Sequence, residues 1–410
     1  NQVPSRAMRI SRSPQNGGFH KWTGGNLRPS LAALAACASP SALGDGIFSA
    51  LIGFAILFCR NTLNNTYIFV KGEKAMSSSQ DIADQIEDLT ADLARMKAEI
   101  AKKFIGQKSV IDLSLTALLS GGHGLLVGVP GLGKTLLVNT LGHVLGLHTQ
   151  RVQFTPDLMP ADILGSEILE TKPDGARQFK FIEGPIFSQL LMADEINRAS
   201  PRTQSALLQA MQEGQVSIAG QTRPLPQPFH VLATQNPIEQ EGTYPLPEAQ
   251  LDRFLLQITL DYPDRETERE ILLETTGVGQ VRVEQVFDPA RLMAAQRVVR
   301  QMPIGNSVVN FILDLVRACR PEDASASKEL CDTVAWGPGP RAAQSLMLSA
   351  RAWALLNGRL SPSVQDVLAL AVPVLAHRMA LRYSAQANGV DLPDLIRRIA
   401  DQLDHARVAA

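Results

Sequence analysis

A glycine-rich segment that ends in lysine and threonine places the strongest constraint on the fold of this chain. Residues 128–135 read Gly-Val-Pro-Gly-Leu-Gly-Lys-Thr, which matches the pattern G-x-x-x-x-G-K-[ST]. The apolar run 124–127 before it predicts a buried strand, and the residues from Leu136 to Leu145 predict a helix. This order predicts an α/β domain with a phosphate-binding loop, whose backbone N–H groups face an anion at a helix N-terminus.

The chemistry of this pattern identifies candidate contacts to a nucleotide. We expect Lys134 to reach the β- and γ-phosphates and the Thr135 hydroxyl to bind Mg²⁺. The complete set of candidate phosphate-binding residues is Gly128, Val129, Pro130, Gly131, Leu132, Gly133, Lys134 and Thr135.

Two carboxylates follow a second apolar run. Residues 190–193 read Leu-Leu-Met-Ala, and Asp194 and Glu195 come directly after them. A strand buried on both faces would deliver both acids to the carboxyl edge of a parallel sheet, where ligands bind in open α/β folds. We expect Asp194 to hold Mg²⁺, through Thr135 or water, and Glu195 to act as a general base toward the attacking water.

The overall composition is that of an ordinary globular protein. The chain has 410 residues, of which 45% are hydrophobic and 19% charged, and it can hold two or three domains. Its net charge of -1 gives no electrostatic support for nucleic-acid binding. The four cysteines lack a C-x-x-C pair, which predicts a cytoplasmic, reducing location. The seven histidines form no zinc-binding pattern.

The first 75 residues differ from the rest of the chain. They are rich in Ser, Asn, Gly and Arg, and their apolar stretch Ile47–Cys59 is shorter than the about 20 residues of a membrane span. Two interpretations remain open: an anchor or targeting peptide, or upstream translation before a start at Met76. The second is favoured, because a recognisable domain begins directly after Met76. Residues 1–75 are therefore expected to be an extension, disordered or spurious, and no membrane association is predicted.

An amphipathic helix is predicted for residues 76–104, with its strongest signal from residue 78 onward. Apolar residues recur at alternating steps of four and three residues: Ile82, Ile86, Leu89, Leu93, Met96 and Ile100. The narrow seam favours packing on the neighbouring domain of the same chain. A short coiled coil with another subunit is the alternative.

The remaining chain divides into two parts. Residues 105–262 alternate between predicted strands and helices, which indicates a parallel sheet covered on both faces. Residues 263–410 are helical in pattern, with candidate helices at Arg265–Thr275, Pro289–Gln301, Ser307–Cys319, Ala342–Asn357 and Ser363–Ala380. The predicted fold is an α/β domain followed by a small all-helical domain.

Two hairpins are predicted within the first part. One runs from Ile163 to Ile182, with residues 172–175 (Lys-Pro-Asp-Gly) at its tip and two phenylalanines, at 179 and 181, on one face. The other starts at Gln215 and turns near Gly220, and prolines in its return limb block edge pairing. We expect both hairpins to be moving elements that contact a partner.

These motifs together resemble those of the MoxR-type AAA+ ATPases. The matching segments are Gly128–Thr135, Leu190–Arg198, Gln204–Glu213, Ala233–Pro237, Leu246–Phe254 and Gly337–Ala342. In that family they are the phosphate loop, the acidic strand, the helix after it, the sensor strand, the subunit-edge motif and the lid motif. The resemblance covers about residues 77–400 and implies a P-loop AAA+ domain at 105–262, a helical lid at 263–410, and hairpins that correspond to the helix-two and pre-sensor inserts.

The resemblance also implies roles for residues around the nucleotide. Asn236 ends a strand expected between the strand before Lys134 and the strand of Asp194, and its amide would orient the lytic water. An ordinary Asn turn is the alternative for Asn236. Ile105 and Gly106 resemble the motif on the adenine side.

Two arginines resemble residues that stabilise the transferring phosphoryl group. Arg253 is similar to the arginine finger, which enters the site of a neighbouring subunit. A local ion pair with Asp252 or Glu248 is the alternative. Arg341 resembles the lid sensor arginine. It stands at a predicted helix start, where the helix dipole disfavours a cation unless it faces an anion such as phosphate. An exposed arginine in the first turn is the alternative.

The function implied by the resemblance is Mg²⁺-dependent ATP hydrolysis by a ring, expected to be a hexamer. Such a protein would be a chaperone-like remodeller in complex assembly or metal-cofactor insertion, with a von Willebrand A-domain protein as partner. The motor subunit of a magnesium chelatase is an alternative. An ATP-gated scaffold with little turnover is another, and the charge balance disfavours a DNA-translocating motor.

Overall fold

A computed structural model of the protein describes residues 79–174, 176–238, 242–277 and 281–409. The predictions for residues 1–75 and for Gly175 at the hairpin tip therefore fall outside the described residues.

Helix α1, Ser79–Lys103, confirms the first predicted helix. Five seam residues are at most 2% exposed and belong to the main hydrophobic core: Ile86, Leu89, Leu93, Met96 and Ile100. This confirms packing against the same chain. A seam filled by the chain's own side chains is not available for a coiled coil with another subunit.

Five parallel strands form the central sheet. They are β1 (Gly124–Val127), β2 (Thr149–Gln153), β5 (Leu190–Asp194), β8 (His230–Gln235) and β9 (Leu256–Thr259). Their order is β2-β5-β8-β1-β9, which confirms both the parallel sheet and the central place of the strand before Asn236. β5 is buried at every position, because a central strand covered by helices on both faces has no solvent-facing side.

The helices of this part are α2 (Lys108–Leu119), α3 (Lys134–Val144), α4 (Pro160–Leu164), α5 (Pro201–Glu213) and α6 (Glu248–Leu251). The start and end of α5 follow from its sequence. The Ser200 hydroxyl accepts a hydrogen bond from the Thr203 N–H, and Pro201 occupies the first helical position. Gly214 ends the helix in the left-handed conformation (φ 63°).

The C-terminal part is helical, as predicted, with a small addition. Its helices are α7 (Arg265–Thr276), α8 (Pro289–Gln301), α9 (Asn306–Ala318), α10 (Lys328–Thr333), α11 (Pro340–Leu356), α12 (Val364–Leu375), α13 (Tyr383–Ala387) and α14 (Leu392–Ala409). Two short strands, β10 (Val334–Trp336) and β11 (Ala380–Leu381), pair antiparallel. The predicted helix end at Ala380 is therefore wrong, since that residue pairs in β11. Within the described ranges no helix is long and apolar enough to cross a bilayer.

Both predicted hairpins are present, and they touch. The first consists of β3 (Gly165–Thr171) and β4 (Arg177–Glu183), and the second of β6 (Gln215–Ile218) and β7 (Gln221–Pro224). The Arg223 guanidinium of β7 lies 4.0 Å from the ring centre of Phe181 in β4. The ring of Phe181 also packs edge-on against Phe187, whereas Phe179 is 71% exposed. The shared face of the two phenylalanines is therefore covered at its base and open toward its tip.

Two histidines near the amino edge of the sheet are held in the neutral form by their partners. His230 Nδ1 donates to the carbonyl oxygen of Gly122 (2.8 Å), and its Nε2 accepts from the Gln296 amide (3.1 Å). His123 Nδ1 accepts from the Val231 N–H (3.0 Å), and its Nε2 donates to the Met211 carbonyl oxygen (3.2 Å). Each ring thus needs one nitrogen as an acceptor. Burial lowers the pKa of both imidazoles from 6.5 to about 4.

This pair is expected to make stability depend on pH. Between pH 6.5 and 4 the unfolded chain binds protons that the folded chain refuses, so the free energy of unfolding should fall as the pH is lowered through this window. Burial also lowers the pKa of His377. The slope from pH 6.5 to 5, measured by chemical denaturation, should therefore reflect up to about three protons. His230→Gln should remove about one of them. An equal slope in His230→Gln and the wild type would contradict this assignment.

Candidate functional site

The phosphate loop joins β1 to α3 with two glycines in left-handed conformations. Gly131 has φ 88°, and Gly133, the N-cap of α3, has φ 76°. A side chain at either position would be strained. The Lys134 ammonium donates to the carbonyl oxygen of Gly128 (2.5 Å), so the lysine folds back across the loop.

The loop is held from two sides. A Cβ atom at Gly128 would lie 2.8 Å from the carbonyl oxygen of Leu260, just beyond β9. A Cβ atom at Gly133 would lie 3.3 Å from the ring of Phe104, which follows α1 and is buried. The N-terminal helix and the end of β9 therefore fix the position of the loop.

The carboxylate of Asp194 is nearly buried and fully engaged in hydrogen bonds. Its Oδ1 accepts from the Thr234 hydroxyl (2.6 Å), and its Oδ2 accepts from Nη2 (2.6 Å) and Nε (3.2 Å) of Arg151. The Thr234 oxygen also accepts from the backbone N–H of Glu195 (2.8 Å). One hydroxyl on β8 therefore holds both acidic residues at the end of β5.

Glu195 adopts a left-handed conformation, with φ 55° and ψ 52°. This conformation costs a residue with a side chain about 1 kcal/mol or more, and it recurs at functional sites. The Glu195 carboxylate accepts from the Gln153 amide (2.7 Å) and from Arg198 Nη1 (2.9 Å). Both acidic residues are thus paired with arginines, Asp194 with Arg151 and Glu195 with Arg198.

Asn236 follows β8 at the same carboxyl edge. It is buried, and its side-chain oxygen accepts from the Ile238 N–H (3.1 Å). The Asn turn given as an alternative is therefore formed. The turn uses the side-chain oxygen and holds Asn236 at the end of β8, the strand next to that of the acidic pair, so it is compatible with a catalytic role of the amide nitrogen.

A cavity of about 210 Å³ lies between the start of α2 and the end of β9. Gly106, Val110, Thr259 and Tyr262 are among its lining residues, and Ile105 directly precedes Gly106. Gly106 has φ 86°, and a Cβ atom there would lie 2.0 Å from Cγ2 of Thr267. The cavity lies at the end of β9, the strand next to β1, and includes Gly106, which the sequence predicts on the adenine side.

Arg253 lies at the opposite edge of the sheet. The N–H of Leu255 donates to the carbonyl oxygen of His123, before β1, whereas the N–H of Leu260 donates to that of Val127, after which the phosphate loop begins. A strand of four residues such as β1 spans roughly 13 Å. Arg253 is therefore separated from the phosphate loop of its own chain by the length of the sheet.

Arg341 lies on the same surface of the protein as Arg253. Arg341 Nη1 lies 3.6 Å from Oδ2 of Asp252. Partial burial and then the positive charge of Arg341 lower the pKa of Arg253. The buried Arg378 fixes this segment, since its Nε donates to Oδ1 of Asp252 (2.8 Å) and its Nη2 to the carbonyl oxygen of Phe254 (2.6 Å). Two cations are thus held side by side at the amino edge of the sheet.

Known proteins match this sequence and this fold. Residues 123–256 match the ATPase family associated with various cellular activities (AAA), and residues 328–399 match the AAA lid domain. The chain is 42% identical to chaperone MoxR1 of Mycobacterium tuberculosis, over 75% of this chain and 80% of that protein. It is 33% identical to protein MoxR of Paracoccus denitrificans, over 72% of this chain and 91% of that protein. The fold also matches the crystal structure of a proposed ATPase of Cytophaga hutchinsonii, with a TM-score of 0.72 and 38% sequence identity. This match covers 78% of the present chain and 96% of the Cytophaga chain.

The chain belongs to the MoxR family of AAA+ ATPases. The family, the fold class and the ATPase activity predicted from the motifs are thereby confirmed.

Sequence reasoning missed three polar residues of this MoxR-family site. Thr234 is a hydroxyl within an otherwise apolar stretch of β8, which is a detectable signal. Arg151 and Gln153 alternate along β2, so they share a face of that strand, but nothing local indicates that this face meets the acidic pair. Their role depends on β2 pairing with β5, which brings Gln153 opposite Asp194.

Thr234→Val is expected to uncouple binding from hydrolysis. Valine keeps the shape of the side chain but leaves the Glu195 N–H and one Asp194 oxygen without their partner, which costs about 1–3 kcal/mol of stability. The phosphate loop is unchanged, so nucleotide should still bind, while steady-state phosphate release should fall about tenfold or more. Thr234→Ser keeps the hydroxyl and should restore most of the rate. Wild-type turnover by Thr234→Val would refute the positioning role.

Proposed function

We propose that this protein hydrolyses ATP with Mg²⁺ in a ring of identical subunits, a hexamer, and that each site is completed by the neighbouring subunit. The observation that carries the proposal is the position of Arg253 at the sheet edge opposite the phosphate loop. An arginine finger has to approach the γ-phosphate, and this one can do so only in another copy of the chain.

The residues present suit a magnesium ion. Thr135 and Asp194 offer the hard oxygen ligands that Mg²⁺ prefers. In the part of the chain that the structure describes, no group of three or more His, Cys, Asp or Glu side chains could hold a metal by itself. A magnesium ion here would take its remaining ligands from phosphate and water, as is usual in ATPase sites. Bound in this way, it would offset the charge on the β- and γ-phosphates.

The remaining residues then have separate tasks. Lys134 leaves the Gly128 carbonyl oxygen to bind the phosphates, and the cavity at Gly106 takes the base. Glu195 accepts a proton from the attacking water, and Asn236 orients that water. Arg253 and Arg341, which share one surface, enter the adjacent site together and stabilise charge on the transferring group.

The output of hydrolysis is proposed to be chaperone-like remodelling during complex assembly or metal-cofactor insertion, together with a von Willebrand A-domain partner. Two observations support this. A relative with 42% identity is named a chaperone. The distal half of the first hairpin carries two large exposed apolar residues directly opposite each other, Leu169 and Phe179, a surface suited to contact another polypeptide.

Mixing two inactive variants tests the shared site. Glu195→Gln should bind ATP but hydrolyse it about a hundredfold more slowly or worse. Arg253→Ala should also bind and not turn over. A mixture should recover phosphate release, because an intact Glu195 then meets an intact Arg253 at some interfaces. A mixture as inactive as its parts would contradict a site in trans. Equal turnover of wild type and Glu195→Gln, with partner binding still dependent on ATP, would favour the scaffold alternative.

The same kind of mixing experiment tests whether Arg341 acts in its own nucleotide site or in that of the neighbouring subunit. If it acts beside Arg253 in the neighbouring site, Arg341→Ala should be rescued by Glu195→Gln but not by Arg253→Ala, since the two arginine lesions then affect the same contributing surface. If Arg341 instead serves its own nucleotide, the pattern reverses: Arg253→Ala rescues it and Glu195→Gln does not. Phosphate release from the two mixtures, with equal subunit ratios, decides between these positions.

A further inference from the structure

We propose that Arg151 is a built-in competitor of the magnesium ion at Asp194, so that it sets the Mg²⁺ concentration at which nucleotide binds. This inference rests on the proposed Mg²⁺-dependent function and adds a residue to which the sequence motifs assign no role.

The positive charge of Arg151 lies beside the Asp194 oxygen that a metal ion would have to bind. Nη2 and Nε of Arg151 lie 2.6 and 3.2 Å from the same oxygen, Oδ2 of Asp194. The other oxygen, Oδ1, is held at 2.6 Å by the Thr234 hydroxyl. Asp194 is only 8% exposed, so its carboxylate offers little further surface to an incoming ion. A divalent cation that approaches Oδ2 meets both a hydrogen-bond donor and a like charge.

The two partners of Asp194 differ in how easily they can leave. Thr234 is fully buried in β8, between two neighbouring strands, and its oxygen also holds the Glu195 N–H. Arg151 lies on β2, an edge strand of the sheet, and its side chain is 49% exposed. A long side chain with its head group near solvent can swing outward at small cost. Arg151 is therefore the partner that yields to the metal.

Movement of Arg151 away from Asp194 would also affect Glu195. Arg151 Nη2 also donates to Oε1 of Gln153 (3.0 Å), and Nε2 of Gln153 donates to Glu195 (2.7 Å). The amide of Gln153 is thus oriented by Arg151 on one side and holds Glu195 on the other. When the metal displaces Arg151 from Asp194, the hydrogen bond from Gln153 to Glu195 would therefore weaken as well.

The test measures binding of a fluorescent, non-hydrolysable ATP analogue as Mg²⁺ is titrated. Arg151→Gln should lower the Mg²⁺ midpoint by about three- to tenfold, the loss expected for one partly exposed, charge-assisted contact. Affinity for the analogue in EDTA should not change. Arg151→Lys keeps the charge but loses the two-pronged contact, so its midpoint should fall between the other two. Arg177→Gln, the same charge change at an exposed hairpin position, should leave the midpoint at the wild-type value.

The outcomes separate this inference from the function on which it rests. If the wild type does not bind the analogue at any Mg²⁺ concentration, the proposed function itself fails. If the wild type binds in a Mg²⁺-dependent way and Arg151→Gln has an unchanged midpoint, Arg151 does not compete. A raised midpoint would show that Arg151 instead orients Asp194 for the metal, which also overturns the inference. A thermal melt checks that each variant is folded. If Arg151→Gln does not fold, Arg151→Lys still tests whether the Mg²⁺ midpoint falls or rises.

Discussion

The hydrogen bonds of one hydroxyl, that of Thr234, hold the two acidic residues Asp194 and Glu195 in one arrangement. Thr234 lies on β8, between the strand that leads to the phosphate loop and the strand that ends in the acidic pair. By donating to Asp194 and accepting from the Glu195 N–H, it fixes the end of β5 against β8 at the carboxyl edge of the sheet. The left-handed backbone of Glu195 is tolerated because this bond holds its N–H. A parallel sheet brings the strand ends together, and Thr234 converts that proximity into a defined site.

The same sheet separates Arg253 from the phosphate loop of its own chain. Residues before β9 and residues after β1 lie at opposite edges, and packing of the C-terminal helices against the first edge makes that separation rigid. Arg378, 1% exposed, fixes Asp252 and Phe254, and the neighbouring His377 contacts the carbonyl oxygen of Phe254 (3.0 Å). A buried arginine with several acceptors is costly to move. The surface that bears Arg253 is therefore anchored to the helical part of the chain.

The parts of this protein that could be predicted from sequence are those whose chemistry is local. The phosphate loop needs glycines, a lysine and a hydroxyl within eight residues, and the acids need only an apolar strand before them. The seam of α1 is predictable because its period is that of a helix. The end of α12 is not predictable in this way, since Ala380 is apolar and continues the helical pattern, yet it pairs with Trp336 across β10 and β11. A related reason applies to Arg151, Gln153 and Thr234. Their hydrogen-bond partners depend on the order of strands in the sheet, which a short stretch of sequence does not reveal.

Charge balance around the acidic pair explains why these distant partners matter. Two adjacent carboxylates at the end of a buried strand repel each other and lose hydration, so an empty site needs positive charge nearby. Arg151 and Arg198 supply it, one for each acid, and both side chains are more than a third exposed. Exposed partners stabilise an ion pair only weakly and can be displaced, whereas buried ones would lock the site. A nucleotide site that must open its acidic residues to a metal and a water in every cycle is better served by such weak counter-ions than by permanent ones.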